Sequence, residues 1–464
     1  MKVVVLNGSP KGGVSVTMQY VAYLTKKFPD LAFQVLDVAH EIGRLERDPA
    51  AWDAAVGSVR SADLVLWAFP LYVLLVPSQY KRFIELVFER DAGDAFAGKY
   101  AASLSTSIHY FDQTAHAYLH AICDDLGTRF AGFYSAGMRD LLEEEERARL
   151  ENFMRQVLAL ARDGTPVQRE HPPLAWPSLA YEPGAPPEPV GTGGKKVVIL
   201  TDARDPPGNL GKMVARLKAA FAGDVELLSL ADVDIRGGCL GCIRCGYDNT
   251  CVYHDGFIDF YRGRLQPADI ILMAGAVRDR YLSSAWKRFF DRSFFKGHVP
   301  GLAGKQVGFV VSGPLGQVPH LREALSAWAD NGGCHALFVT DEAGSSGELD
   351  GLLDALARRL ASCSASGYLP PRTFYAVGGH KIFRDNIYGG MRVPFQADYR
   401  YYRAHGLFDF PQRDLKTRVA NAILSPLMRS EGFRRKVVGD LRKRMIEPFG
   451  PVLRAAEPAR GGER

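Results

Sequence analysis

Three separated segments of this chain recur at one spacing. Ser61-Ala62-Asp63-Leu64-Val65-Leu66 returns as Pro267-Ala268-Asp269-Ile270-Ile271-Leu272, Lys81-Arg82-Phe83 as Lys287-Arg288-Phe289, and Ala97-Gly98-Lys99 as Ala303-Gly304-Lys305, each 206 residues later. A constant offset over separated segments constrains the fold to two copies of one unit, and 464 residues is length enough for two domains. Earlier in the unit the offset is smaller: Asn7 falls opposite Asp202, an offset of 195, so the second copy carries 11 additional residues between those points. The segment Cys239 to Cys251 lies in that interval, with four of the seven cysteines at the spacing C-x2-C-x2-C-x5-C.

Each copy alternates short apolar runs with amphipathic stretches. In the first copy the predicted strands are 3–6, 33–38, 64–69, 101–105 and 130–135, and the predicted helices include 15–26, 78–90, 113–126 and 143–161. Apolar, β-branched runs of this kind belong in parallel sheets covered on both faces. Five βα units predict a doubly wound α/β sheet with its ligand crevice at the carboxyl ends of the strands. The expected organisation is a first domain over 1–167, a Pro/Gly-rich linker over 168–194, a second domain over 195–368, and a basic, partly helical C-terminal extension over 369–464. In that extension Val419, Ile423 and Leu427 fall at helical spacing, as do Phe433, Val437 and Leu441, among Arg434, Arg435, Lys436, Arg442, Lys443 and Arg444. A solvated helix capping the second domain is the expectation, and contact with a membrane surface is the alternative.

The chain opens directly on Val3-Val4-Val5-Leu6 and holds no apolar run of membrane-spanning length, so a cytoplasmic protein with no transmembrane segment is expected. Clustered cysteines in an odd number do not form a disulfide framework. A net charge of +5 is too mild to argue for nucleic acid as a partner.

Two loops carry chemistry. Asn7-Gly8-Ser9-Pro10-Lys11-Gly12-Gly13-Val14-Ser15-Val16-Thr17 joins the first strand to the first helix. Hydroxyls from Ser9, Ser15 and Thr17, exposed glycine amides, the helix N-terminus and Lys11 suit one terminal phosphate. The loop is neither a dinucleotide G-x-G-x-x-G nor a Walker loop. The four clustered thiols, Cys239, Cys242, Cys245 and Cys251, are the donor set of an iron–sulfur cluster; zinc, or no metal at all, are the alternatives. His254-Asp255 follows directly and is expected to order that loop. His116 and His120 have no acidic or cysteine partner at ligand spacing and read as ordinary histidines.

Gly8-Ser9-Pro10-Lys11 with Ser15 and Thr17 resembles the phosphate loop of the flavodoxin-like NAD(P)H-dependent FMN reductase family. Phe69-Pro70-Leu71-Tyr72 resembles the Pro-x-Tyr segment beside the isoalloxazine ring, and Ser105-Thr106-Ser107-Ile108-His109 the loop on the ring's other side. The cysteine loop resembles that of the iron–sulfur flavoproteins in the same superfamily. The resemblance implies two tandem flavodoxin-like domains. It implies FMN held by Ser9, Lys11, Ser15, Thr17, Pro70, Leu71, Tyr72, Ser105, Thr106, Ser107 and His109. It further implies a [4Fe-4S] cluster on the cysteines, NAD(P)H as donor and an unidentified electron acceptor. The second copy departs from the pattern: Asp202 and Asp205 repel phosphate, Pro206 and Pro207 lack amide donors, and Ala276-Val277-Arg278-Asp279 replaces the Pro-x-Tyr segment. Its flavin site is therefore expected to be degenerate.

The function expected from this reading is an FMN-dependent oxidoreductase passing electrons between flavin in the first domain and a cluster in the second. The alternative is a non-catalytic binding or scaffold protein with zinc in the cysteine loop. Because family members pair as dimers near their flavins, the two copies are expected to form a pseudo-dimer within one chain, with oligomers possible. The edge near Tyr72 and His109 is then expected to face the cysteine loop.

Overall fold

A strand reading Val3-Val4-Val5-Leu6 has no polar face, so it has to be covered on both sides. In the computed structural model, which describes residues 1–203, 208–411 and 414–437 with Glu447 and Pro451, these four residues are fully buried within β1 (Lys2–Asn7). The first half continues through α1 (Val16–Lys27), β2 (Ala32–Leu36), α2 (Ile42–Arg47), α3 (Pro49–Arg60), β3 (Leu64–Pro70), α4 (Ser78–Glu89), β4 (Tyr100–Ser107), α5 (Asp112–Asp125), β5 (Arg129–Gly137) and α6 (Glu144–Asp163). Its five strands are parallel, in the order β2-β1-β3-β4-β5. Strand order reverses between β1 and β3, which opens a crevice above their carboxyl ends.

The second half holds β6 (Val190–Gly191), β7 (Val197–Thr201), α7 (Asn209–Ala219), β8 (Phe221–Ala222), β9 (Val225–Ser229), α8 (Phe257–Phe260), β10 (Ile270–Ala276), α9 (Ser284–Ser293), β11 (Gln306–Ser312), α10 (Pro319–Asn331), β12 (His335–Thr340) and α11 (Ser346–Ser366). β6 and β8 pair only with each other, and the remaining five strands form a parallel sheet. Its order, β9-β7-β10-β11-β12, repeats that of the first sheet. The molecule is thus α/β, with two five-stranded flavodoxin-like sheets. Helix starts follow local chemistry: Ser15 Oγ accepts the Met18 N–H to cap α1, and Ser283 and Ser345 cap α9 and α11 in the same way.

α4 and α9 carry the contact between the halves, and each gives the other what it receives. Lys81 Nζ donates to the Arg278 carbonyl at 3.0 Å, and Lys287 Nζ donates to the Tyr72 carbonyl at 2.8 Å. Glu85 accepts the Ser284 N–H at 2.6 Å, and Asp291 accepts the Ser78 N–H at 2.7 Å. Tyr72 and Arg278, Ser78 and Ser284, and Glu85 and Asp291 all stand 206 residues apart. Such reciprocity is the signature of an isologous interface, here formed inside one chain. Lys81 and Lys287 are fully buried, each paired with the acid one turn on.

One compact unit runs from Met1 to Tyr402, and Arg403–Arg464 forms a second. The first therefore includes α12 (Phe374–Tyr388) and most of α13 (Gln396–Ala404). α12 is anchored to both halves, through Tyr110 Oη donating to the Tyr375 carbonyl (2.5 Å) and Asp330 accepting from Thr373 and the Ala376 N–H. In the second unit, α14 (Leu415–Leu427) exposes Leu415, Val419, Ile423 and Leu427. Among the described residues no helix is long and apolar enough to cross a membrane. Arg204, Asp205, Pro206 and Pro207, and Leu441, Arg442, Lys443 and Arg444, lie outside the described residues.

Candidate functional site

The loop after β1 is held open by packing beneath it. A Cβ on Gly8 would fall 2.5 Å from the Tyr80 ring, so only glycine passes there, and its N–H donates to the Ala68 carbonyl at 2.7 Å. Asn7 is fixed by Asp37 (2.6 Å) and accepts the Ser9 N–H at 3.0 Å; Ser9 Oγ in turn accepts the Lys11 N–H at 3.3 Å. Gly12 turns the chain at φ +59°, and a Cβ on Gly13 would meet nothing within 4 Å. Ser9, Ser15 and Thr17 are buried. Thr17 Oγ1 lies 2.6 Å from Thr106 Oγ1, which joins the phosphate-type loop to the end of β4. The first N–H groups of α1 lack intrahelical acceptors, and the loop's hydroxyls and open glycine amides stand beside them.

At the end of β3, Pro70 leads into a tight turn in which Tyr72 and Leu75 exchange backbone hydrogen bonds of 2.9 and 3.1 Å. Val73 and Leu74 sit at φ +35° and +67°, a costly conformation for branched side chains. The Leu71 N–H donates to the Thr106 carbonyl at 3.1 Å. Facing this turn in the topology is the loop after β4. Ser107 Oγ accepts the His109 N–H at 2.8 Å, and His109, half exposed, directs Nδ1 to Asp112 at 2.9 Å. Burial alone would raise the Asp112 carboxyl, but hydrogen bonds from Ser135 and His109 outweigh it and hold it below the ordinary range.

Ser105 is placed differently from the sequence expectation. Its hydroxyl is bonded to His116 Nε2 at 2.8 Å, while Ser103 takes Nδ1 at 2.7 Å. Burial pushes this imidazole down to about 4. Ser105 and His116 therefore form a polar pair inside the core. His120, read from sequence as partnerless, has Asp124 one turn along α5 and His171 from the linker beside it; helical spacing alone signalled the first of these.

The cysteine loop belongs to the second half and lies against the first. Gln79 Nε2 donates to the Cys239 carbonyl at 3.2 Å. A Cβ on Gly241 would collide with Tyr72 Oη and lie 3.1 Å from Lys11 Cε. One glycine of this loop thus touches both the phosphate-type loop and the ring-side turn. Tyr72 Oη is buried with no hydrogen-bond partner, and burial together with Cys239, Asp291 and Cys242 drives its pKa upward. Arg292 of α9 ties the loop's two stems. Its guanidinium donates to the Gly237 carbonyl (2.9 Å) and to both oxygens of Asp255 (2.8 Å each). Asp255 thereby orders the loop, as its position after the last clustered cysteine suggested. All four thiols are free, and Cys242 is exposed. Burial and the neighbouring acids and thiols push Cys239 and Cys245 up to about 12.

The chain's own linker runs along the carboxyl ends of the second sheet, with Trp176 more than half exposed. Asn209, at the start of α7, donates to the Leu179 carbonyl (2.8 Å) and accepts the Tyr181 N–H (3.0 Å). Ala175 and Gln317 exchange hydrogen bonds of 2.9 and 2.7 Å. A Cβ on Gly313 would lie 3.0 Å from the Trp176 ring. Asp202 stays at the end of β7, its carboxyl raised by burial and accepting the Ser283 hydroxyl. Sequence reasoning read residues 168–194 as a spacer. The signal it passed over was Leu174, Trp176 and Leu179, apolar side chains spaced along a proline-rich segment.

Residues 1–129 match the family model for NADPH-dependent FMN reductase. No curated protein matches the chain. Among solved structures, it is similar to the apo form of an NADH:FMN oxidoreductase at 21% identity, over 34% of this chain and 89% of that one, with a TM-score of 0.30. It is also similar to FerB, a flavoenzyme NAD(P)H:(acceptor) oxidoreductase from Paracoccus denitrificans, at 19% identity, 34% and 97% coverage, and a TM-score of 0.28. An FMN-dependent NADH-azoreductase from Bacillus anthracis str. Ames Ancestor, in complex with FMN, matches at 14% identity, 35% and 99% coverage, and a TM-score of 0.24. The likeness to the NADPH-dependent FMN reductase family thus covers residues 1–129, within the first half of the chain.

Proposed function

We propose that the chain is an NAD(P)H-linked FMN oxidoreductase. FMN would occupy the first crevice, and a [4Fe-4S] cluster would be held by Cys239, Cys242, Cys245 and Cys251. The observation that carries this reading is the seat of Gly241 on both Tyr72 and Lys11. It brings the cysteine loop beside the loop and turn that are proposed here to hold FMN, which supports the reading. When bound, FMN supplies two-electron acceptance from a hydride donor, and the cluster supplies one-electron transfer. The residues present fit both groups. Ser9, Ser15 and Thr17 with the α1 N-terminus would take the phosphate, and Lys11 would offset its charge. Pro70, Leu71, Tyr72, Thr106, Ser107 and His109 would border the ring. Asp112 holds His109 Nδ1, which leaves Nε2 as the atom that can give or take a proton at the crevice edge. For the cluster, four thiols in one loop are the required donors. A cavity of about 680 Å³ opens beside Cys251, lined in part by Arg244, His254 and Arg262, and would let an electron acceptor approach the loop.

The test is cofactor analysis of anaerobically prepared protein. About one FMN and about four irons with four sulfides per chain are expected. Ser9→Ala with Thr17→Ala should weaken FMN binding by about 100-fold or more, since two hydrogen bonds to a charged phosphate are lost. Cys242→Ser should lose the iron. Full flavin in the double variant would sink the flavin assignment, and stoichiometric zinc with no iron would sink the cluster.

A further inference from the structure

We infer that His120, Asp124 and His171 form a second metal site, for a divalent transition cation of the zinc type. It lies on α5 and on the first turn of the linker, and does not involve the crevice. His120 Nε2, an Asp124 carboxylate oxygen and His171 Nδ1 all lie within 4.8 Å of one another. His171 Nδ1 is 2.8 Å from Asp124 Oδ2, and His120 Nε2 is 3.6 Å from the same oxygen. Two imidazoles and one carboxylate are a common donor set for zinc, with a fourth position left for another ligand. Glu170 Oε2 lies 3.7 Å from His120 Nδ1, the ring nitrogen that is left over for a second partner.

Three observations separate this cluster from a chance meeting of polar side chains. His120 Nε2 is buried and has no hydrogen-bond partner, a cost that a metal bond would remove. The His120 ring is held by stacking on Phe130, with centroids 4.3 Å apart. The backbone carrying His171 is fixed, because the N–H groups of Glu170 and His171 both donate to Asp124, at 3.2 and 3.0 Å. Two guanidiniums lie nearby: Arg169 donates to the His171 carbonyl at 3.0 Å and stands 3.7 Å from Asp125, and Arg280 pairs with Asp125 at 2.6 and 2.7 Å and donates to the Pro172 carbonyl at 2.6 Å. A cation here would staple the linker where it leaves the first half, a few residues before it reaches the second sheet.

Equilibrium dialysis of the full chain against Zn²⁺ tests this without disturbing the cysteine loop. His171→Ala and His120→Gln should each bind one equivalent fewer than the parent, with affinity for that equivalent falling about 100-fold. The Co²⁺ difference spectrum, parent minus His171→Ala, should show ligand-field bands without sulfur-to-cobalt charge transfer. Equal stoichiometry in parent and variants, or a difference spectrum dominated by thiolate charge transfer, would overturn the site.

Discussion

At the end of β1 the chain turns through Gly8, Ser9 and Lys11 into a capped helix, and the space above is bordered by Tyr72 and His109. At the end of β7 it reaches Asp202, and the linker passes nearby, with the Leu179 carbonyl on Asn209 and the Trp176 ring beside Gly313. The sheets beneath have the same strand order, and the helices between them make the same contacts in both directions. The two crevices differ in the loops above them. The scaffold that builds a crevice and the loops that border it are specified by separate residues, so the first keeps a glycine- and hydroxyl-bearing loop while the linker runs beside the second. The second half's contribution is the cysteine loop, which it places on the first half's crevice.

The equivalence of the halves at their contact can be broken most strongly at the buried lysines. Lys287→Met leaves Asp291 buried without its charge partner and should cost about 3–5 kcal/mol, and Lys81→Met should cost less, because Glu85 keeps Arg82 at 3.1 Å. Urea unfolding of both variants checks this; a large loss in one and none in the other would show that the reciprocal contacts are not energetically equivalent.

Acid sharpens the comparison in a second way. His116 in the first half and His320 in the second are both buried and held at about 4. Each takes up a proton more readily unfolded, near its ordinary 6.5, than folded. Their contribution is therefore complete above about pH 6.5 and is lost as pH falls toward 4, by about 3 kcal/mol each. His116→Gln should flatten the stability profile between pH 6.5 and 4 by roughly half, and an unchanged slope would remove His116 from the account.

The smallest expected effect concerns the linker. Trp176→Gly with Leu179→Gly removes linker side chains beside the second crevice but leaves Asp202 at its phosphate end. The flavin count should stay at about one per chain, as in the parent. A second equivalent in this variant would mean that the linker, and not the loop chemistry, keeps the second crevice empty.

Much of the fold was legible because it rests on local pattern. Apolar runs such as Val3–Leu6 declare a doubly covered strand, Ser15 declares a helix start, and the recurring Lys-Arg-Phe segments declare that the unit occurs twice. The turn and cap of the loop after β1 were legible for the same reason, being contiguous. The partners of Ser105 and His120 were not, because a hydroxyl or imidazole within reach of several groups reveals no choice until the helices are packed.

By itself, the sequence determined which residues build strands and helices, that the unit repeats, and which loops hold hydroxyls or thiols, since these follow from composition and spacing along the chain. Only the tertiary structure decided that Gly241 rests on Tyr72 and Lys11, that residues 174–181 run along the carboxyl ends of the second sheet, and that His171 meets His120 and Asp124. Each joins segments far apart in the chain through close approach of surfaces. Shape and burial select such contacts, and neither is written in any local stretch of residues.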